Sequence, residues 1–329
     1  MKYRKFPKSD DRISALGFGA MGFAAWFGSI SDVDCIRALH TGLDLGVNFV
    51  DTARAYGESE RIVGEGLRQW KGDKPFLATK IEALGPILQF GMPLPPEQAF
   101  PRGHVLADCE RSLKAMGVDN VDLMQLHLYW PTWGTGGYWM DELQALKKQG
   151  KTRFVGISIP DHRSDMVLPL VQSGLIDSVQ TIVNIFDPLA LEVLVPICAE
   201  HGVAVIARSV LDEGGLTGFL TEEMVFPKGD FRHGYFDKSI NRSWYIHKVD
   251  QLRKFVPQYA SSLAALAIKF ACHLPGVTTA ISSMHVEDYA RMNIAALDEP
   301  DLPEEIFLLL RTSHRFIKNM NHTGHWEVA

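Results

Sequence analysis

The sequence predicts an α/β fold: a (β/α)8 TIM barrel with an N-terminal β-hairpin and long loops after the fourth and seventh barrel strands. Three observations carry that expectation. Eight short, nearly continuous apolar runs recur along the chain, the pattern of parallel strands covered on both faces. A segment with helical spacing follows each run, and several of these segments close on glycine. Strand–helix alternation sustained in this way closes naturally into a barrel.

Taken in order, the polar start MKYRKFPKSDDR reads as a short hairpin able to plug the barrel bottom. The strands are ISALGFG (13–19), VNFVD (47–51), PFLATK (75–80), VDLMQLH (121–127), RFVGIS (153–158), SVQTIV (178–183), VAVIAR (203–208) and VTTAIS (277–282). The first helix, DVDCIRALHTGLDLG, follows Ser31 as N-cap and ends at Gly46 as C-cap. ESERIVGEGLRQW comes next, with Ser59 and Glu60 read as a cap and first turn, then GHVLADCERSLKAMG and MDELQALKKQG. SDMVLPLVQSG, ALEVLVPICAEHG, SSLAALAIKFACHLPG and HVEDYARMNIAAL complete the set. Two insertions, YWPTWGTGGYWM (129–140) and the long segment 211–244, leave the C-terminal ends of strands, the face where such barrels carry their sites. No linker or fixed-period repeat interrupts the chain, so residues 1–329 are expected to form a single domain.

GFGAMG (17–22) satisfies the glycine pattern of dinucleotide-binding turns. A loop with Trp26 and Phe27 follows it, where that motif needs a helix to open directly. Its glycines are better read as a tight turn at a barrel rim. The net charge of -6 and pI near 6.1 argue against a nucleic-acid partner. No apolar run reaches the length of a membrane span and the N-terminus is polar, so a cytoplasmic location is expected. Cys35, Cys109, Cys198 and Cys272 are widely spaced, which predicts buried reduced thiols and no metal site.

Four residues stand where three consecutive strands end. Asp51 closes the second strand with Tyr56 in the loop beyond it, Lys80 closes the third, and His127 closes the fourth. Taken singly, each has an ordinary role: satisfying loop amides, packing a half-exposed ring, snorkelling, or filling a hydrogen-bonded core position. Neighbouring strands lie about 5 Å apart, so together they can converge. A lysine ammonium beside a phenol favours the phenolate, and a carboxylate offsets the cost of burying that lysine. A histidine can donate a hydrogen bond to a carbonyl oxygen that is being protonated. The set suits carbonyl reduction with Tyr56 as general acid, and alcohol oxidation by the reverse path.

These features resemble the aldo-keto reductase superfamily. The stretches that carry the resemblance are FVDTARAYGESERIVGEGL, LATK, VDLMQLH, GKTRFVGIS, VQTIVN, VIARSVLDEGGLTG and ISSMHVEDYARMNIAAL, in the family's order across nearly the whole chain. The resemblance implies an enzyme, an NAD(P)H-dependent oxidoreductase, with Asp51, Tyr56, Lys80 and His127 as the catalytic four. It implies Ser158 and Gln180 at the nicotinamide carboxamide, with Ile159 replacing a usual asparagine and Arg208 replacing a stacking tyrosine. Ser209, Leu211, Gly215 and Leu216 would fold over the pyrophosphate. In the closing segment Ser282, Ser283, His285, Tyr289 and Asn293 would meet the adenosine. The resemblance implies NADPH, the family's usual cofactor; no arginine or lysine stands where the family usually meets the ribose 2′-phosphate, which makes NADH the second possibility.

Substrate-facing candidates come from the loops: Trp26, Phe27, Tyr129, Trp130, Trp133 and residues of the 211–244 insertion, flanked by Arg54, Arg232, His233, Asn241 and Arg242. They suit a small-molecule carbonyl or sugar substrate. Two rival readings remain: an NAD-dependent sugar or polyol dehydrogenase working oxidatively, and a cofactor-binding regulatory subunit resembling potassium-channel β subunits. The intact four-residue set favours an enzyme.

Overall fold

The computed structural model describes residues 1–85, 94–236 and 241–316. At the N-terminus β1 (Tyr3–Lys5) pairs antiparallel with β2 (Arg12–Ser14). Eight parallel strands then close a barrel: β3 (Leu16–Gly19), β4 (Phe49–Asp51), β5 (Phe76–Ile81), β6 (Val121–Leu126), β7 (Thr152–Ser158), β8 (Ser178–Ile182), β9 (Ala204–Arg208) and β10 (Thr279–Ser283). They follow one another in chain order around the ring, with β10 returning beside β3.

The apolar run expected as one strand over 13–19 divides between two sheets. Ile13 and Ser14 belong to the hairpin, and Leu16 begins the barrel. Ala15 marks the exchange of partners: its N–H donates to Lys2 O at 2.8 Å, and its carbonyl accepts from Ala280 N–H at 2.9 Å. The hairpin plugs the barrel through Phe6, which is fully buried. Its ring centroid lies 5.0 Å from that of Phe76 and 4.7 Å from that of Phe154. Burying one such ring contributes roughly 1.5–3 kcal/mol.

Side chains inside the barrel lie in layers. Phe49, Ala78, Leu123 and Ile206 pack with Phe6 in an apolar lower layer. Successive inward positions on a strand are two residues apart. One step along β4, β5 and β6 therefore replaces the apolar layer with Asp51, Lys80 and Gln125. Gly156 on β7 makes room for this upper layer: a Cβ there would stand 2.1 Å from Ser178 Oγ and 3.2 Å from Gln125 Cγ.

The outer helices follow the expected grammar with some differences. Ser31 caps Asp32–Asp44 by accepting from Asp34 N–H, and Ser262 caps Leu263–His273. SDMVLPLVQSG forms a 3-10 turn, Ser164–Val167, before the α-helix Leu168–Gln172. ALEVLVPICAEHG divides likewise into Leu189–Leu191 and Leu194–Glu200. A further helix, Glu304–Ser313, lies beyond the elements read from the sequence and stacks Phe307 on Phe270 at 5.1 Å. The long insertion contains helix Phe231–Phe236, and Arg242–Asp250 follows; residues 237–240 of that insertion lie outside the described residues.

The cap expected at Ser59 is a correction. Ser59 opens the helix Ser59–Gln69, but it is buried and its hydroxyl donates to Ala20 O while meeting Thr52 Oγ1. Glu60 is buried too, accepting from Thr79 Oγ1 at 2.7 Å and from Arg54 at 3.2 Å. Both tie the helix to the strand ends, not to solvent. All four cysteines are buried and unpaired, with burial pushing each thiol up to about 12. Among the described residues, no helix is long and apolar enough to cross a membrane.

Candidate active site

Strand register brings the upper polar layer together. Asp51 stands level with Ala78, Lys80 with Gln125, and Ser158 with Gln180. Lys80 is fully buried, with Nζ 2.5 Å from Asp51 Oδ1 and 2.9 Å from Thr52 O. The other carboxylate oxygen, Oδ2, accepts from Gln180 Nε2 at 2.9 Å and from Gln125 Nε2 at 3.5 Å. A buried ion pair repays its desolvation only when its remaining hydrogen-bonding capacity is satisfied, and these amides satisfy the carboxylate. Burial opposes charge on Lys80, but Asp51 and then Tyr56 outweigh it, and the ammonium is held above its usual pKa.

Tyr56 lies over this pair. Its ring centroid is 4.9 Å from Lys80 Nζ, 5.5 Å from the His127 ring and 5.9 Å from the Trp26 indole, the last two edge-on. The effect expected of Lys80 is present beside a larger one. Lys80 does push the phenol's pKa down, but burial pushes it up by more, and the net shift is upward. Tyr56 is therefore a protonated phenol at neutral pH. His127 extends the β6 ladder, its N–H donating to Ile81 O at 3.0 Å. Burial first, then the charges of Lys80 and Arg208, hold its pKa well below the usual value, so the imidazole is neutral.

These groups open into a cavity of about 1510 Å³ running from Asp51, Tyr56 and His127 to Tyr289, Met292 and Asn293. The cofactor candidates distribute unevenly along it. Ser158, Gln180, Arg208, Ser209, Leu211, Ser282, Ser283, His285, Tyr289 and Asn293 line its wall. Gly215 and Leu216 stand behind the wall. Gly215 lacks a Cβ where one would sit 2.0 Å from Tyr245 Oη, and Leu216 is buried. Arg208 donates to Ile159 O at 3.0 Å and Asp161 Oδ1 at 2.6 Å, so Ile159, whose side chain lacks the polar group of the asparagine it replaces, is engaged through its backbone. Ser209, Asp212 and Glu213 all take positive φ, an uncommon cluster for residues with side chains and one that concentrates at functional loops. Asp212 anchors that loop, accepting from Tyr245 Oη at 2.7 Å and Tyr235 Oη at 2.9 Å.

Of the substrate candidates, Trp26 and Phe27 line the cavity. Tyr129, Trp130 and Trp133 are a correction. They are buried outside the cavity lining, with Trp133 edge-on to Phe100 at 5.7 Å and to Tyr129 at 6.0 Å, and its Nε1 donating to Leu94 O. Of the flanking polar residues Arg232 lines the cavity; Arg54 is held by Glu60, Asn241 caps a helix, and Arg242 reaches the carbonyl of Met224.

Sequence reasoning missed Gln125 and Asp161, and reached Phe231 and Tyr235 only collectively, as part of the 211–244 insertion. Gln125 was discoverable, since it shares β6's inward parity with His127 two residues on. Phe231 carried no local signal. Its N–H donates to Trp26 O at 2.8 Å and its ring stacks on the indole at 6.2 Å, joining the insertion to the loop after β3.

The family model for the Aldo/keto reductase family matches residues 15–311. The chain is similar to the NADH-specific methylglyoxal reductase of Escherichia coli (strain K12), 26% identical over 317 residues that cover 91% of this chain and 94% of that protein. It is also similar to a probable voltage-gated potassium channel subunit beta of Arabidopsis thaliana, 28% identical over 323 residues, covering 91% and 92%. Among solved structures, a glycerol dehydrogenase from Gluconobacter oxydans shares the fold, with a TM-score of 0.77 over 96% of both chains at 24% identity.

Proposed function

Because this chain belongs to the aldo/keto reductase family and is an oxidoreductase of that kind, we propose that it reduces a small aldehyde or ketone, with Tyr56 delivering the proton. The observation that carries this reading is the Tyr56 ring standing 4.9 Å over the ammonium of the buried Lys80–Asp51 pair and 5.5 Å from the His127 ring. Reduction needs a group that holds a proton at neutral pH and can release it into a stabilised environment. Burial supplies the first property and the Lys80 ammonium the second.

The residues present fit a nicotinamide nucleotide. His127 Nδ1 and Arg208 Nε are buried without hydrogen-bond partners among the described residues, and both side chains line the cavity. Ser158, Gln180 and Arg208 would hold the nicotinamide end. Ser209 and Leu211 would meet the pyrophosphate, and Ser282, Ser283, His285, Tyr289 and Asn293 the adenosine. A reduced nicotinamide supplies the hydride. The chain's own residues do the remainder. His127 donates a hydrogen bond to the substrate carbonyl oxygen and orients it. Tyr56 gives its proton to that oxygen, and Lys80, fixed by Asp51 and Thr52 O, stabilises the phenolate left behind. Gln180 and Gln125 keep the Asp51 carboxylate hydrogen-bonded throughout. Trp26, edge-on to Tyr56, and Phe231, stacked on Trp26, wall the substrate end and exclude water, favouring a compact, partly apolar carbonyl compound.

The Escherichia coli relative named as a methylglyoxal reductase supports a small carbonyl substrate, and its NADH specificity keeps both nucleotides in play. The channel-subunit relative shows that the family also contains proteins named for assembly, but the Tyr56–Lys80–Asp51–His127 set here is assembled for proton transfer. The test is to titrate NADPH and NADH against the fluorescence of the seven tryptophans, then assay carbonyl substrates with the tighter nucleotide. We expect saturable quenching and carbonyl-dependent nucleotide oxidation. Binding of neither nucleotide, or binding without turnover of any small carbonyl, would refute the reading.

A further inference from the structure

The closing segment carries no lysine or arginine at the cavity wall, yet a cation stands there. Arg232, from the helix Phe231–Phe236 in the insertion after β9, lines the cavity. Its guanidinium carbon is 5.7 Å from the Phe27 ring centroid, and the other face of this contact continues to His285, whose ring stacks on Phe27 at 5.8 Å. His285 in turn meets Tyr289 edge-on at 5.5 Å and shares a hydrogen bond with Ser283 Oγ at 2.9 Å. Arg232, Phe27, His285 and Ser283 thus form one continuous patch at the adenosine end.

His285 cannot supply the charge itself. Burial, and then Arg232, hold its pKa down to about 4, so it is neutral at physiological pH. Arg232 is pinned in place. Nε and Nη2 donate to Asp230 at 2.9 and 2.6 Å, Nη2 also donates to Phe27 O at 3.1 Å, and the Phe226 ring lies 4.9 Å away. Nη1 makes no hydrogen bond among the described residues. A guanidinium fixed on one edge with donors left on the other is suited to a phosphate monoester.

We infer that Arg232 receives the ribose 2′-phosphate of an NADP-type nucleotide, so that the insertion, not the closing segment, sets cofactor selectivity. Ser283 and the neutral His285 supply uncharged hydrogen bonds beside it, and Asp230 tempers the charge. This inference rests on the nicotinamide-nucleotide reading above.

The test uses the full chain and two probes that lack nicotinamide, adenosine 2′,5′-bisphosphate and 5′-AMP, with dissociation constants from calorimetry. Wild type should prefer the bisphosphate by on the order of tenfold, the scale of one charge-assisted hydrogen bond. Arg232→Gln should erase that preference while holding 5′-AMP within about twofold, because the adenine and 5′-phosphate contacts remain. Arg232→Lys, which keeps the cation, should retain part of the preference, and Asp230→Asn should increase it. Equal binding of both probes by wild type would overturn the inference while leaving the cofactor reading intact. So would equal weakening of both probes in Arg232→Gln and Arg232→Lys, or an unchanged preference in Arg232→Gln. If wild type binds neither probe nor either whole cofactor, the cofactor reading falls, and this inference falls with it.

Discussion

At the floor of the cavity, Asp51, Lys80, Gln125 and Gln180 stand on four strands of one closed sheet, joined by hydrogen bonds to a single carboxylate. At the roof, Trp26 and Phe27 come from one loop and Phe231 and Tyr235 from another, far along the chain. The Phe231 N–H to Trp26 O hydrogen bond, that of Arg232 Nη2 to Phe27 O, and ring contacts of Phe231 with Trp26 and Phe27 join them. The floor is over-determined: shifting Asp51 or Lys80 would leave a buried charge without its partner, and shifting Gln180 would take a hydrogen bond from the carboxylate. The roof is held by contacts that are individually weak and replaceable. Under the proposed function, proton transfer belongs to the floor and selectivity to the roof.

The largest expected effect comes from breaking the floor. Lys80→Met leaves Asp51 buried without its cation, and we expect a loss of about 3–5 kcal/mol of stability together with loss of carbonyl reduction. Denaturant unfolding and steady-state turnover check the two parts separately. Retained turnover would show that the ion pair is only structural.

A roof substitution should act differently. Phe231→Ala removes the ring that spans the two loops, and we expect kcat/KM to fall by roughly tenfold, the scale of about 1–3 kcal/mol from a substrate pocket contact. The melting temperature should move little. A collapse in stability comparable to that of the floor variant would erase the contrast.

Acid should act more gently, through His285, whose ring stacks on Phe27 of the roof. The folded-state pKa of His285 is lowered to about 4, so the unfolded chain takes up the proton first. The stability this neutral imidazole contributes is full above about pH 6.5, its unfolded value, and is lost as pH falls through 4. His285→Gln should therefore flatten the decline in urea midpoint between those pH values. A slope identical to wild type would contradict the assignment.

The smallest effect belongs to the aromatic loop after β6. Trp133→Phe should cost about 1 kcal/mol for its lost hydrogen bond to Leu94 O, with kinetic constants unchanged.

That last residue shows where the sequence stopped being legible. Trp26 and Trp133 look alike in composition and position, each in a glycine-containing loop leaving the same rim. Gly134 and Gly137, at φ of 68° and 131°, turn the second loop back so that Trp133 and Trp139 pack on each other beside Phe100. No periodicity encodes that turn. Asp51, Lys80 and His127 were readable because each ends an apolar strand at a place where packing alone gives no reason for a charge or an imidazole. Gln125 was overlooked because it interrupts its strand without ending it. Ser59 and Glu60 looked like helix-start chemistry because their types and spacing permit it, and only the contacts with Ala20, Thr52 and Thr79 reveal that they serve the strands. The hairpin plug and all eight barrel strands were visible from apolar runs, apart from the division of the first run at Ala15.

The central claim is that Tyr56 gives up the proton and that the floor exists to let it. Tyr56→Phe tests this most directly, measured as single-turnover carbonyl reduction alongside nicotinamide-nucleotide affinity. The account predicts a rate lower by about 10²–10⁴-fold, the range of general acid catalysis, with affinity unchanged within a few-fold. A rate within a few-fold of wild type would contradict it.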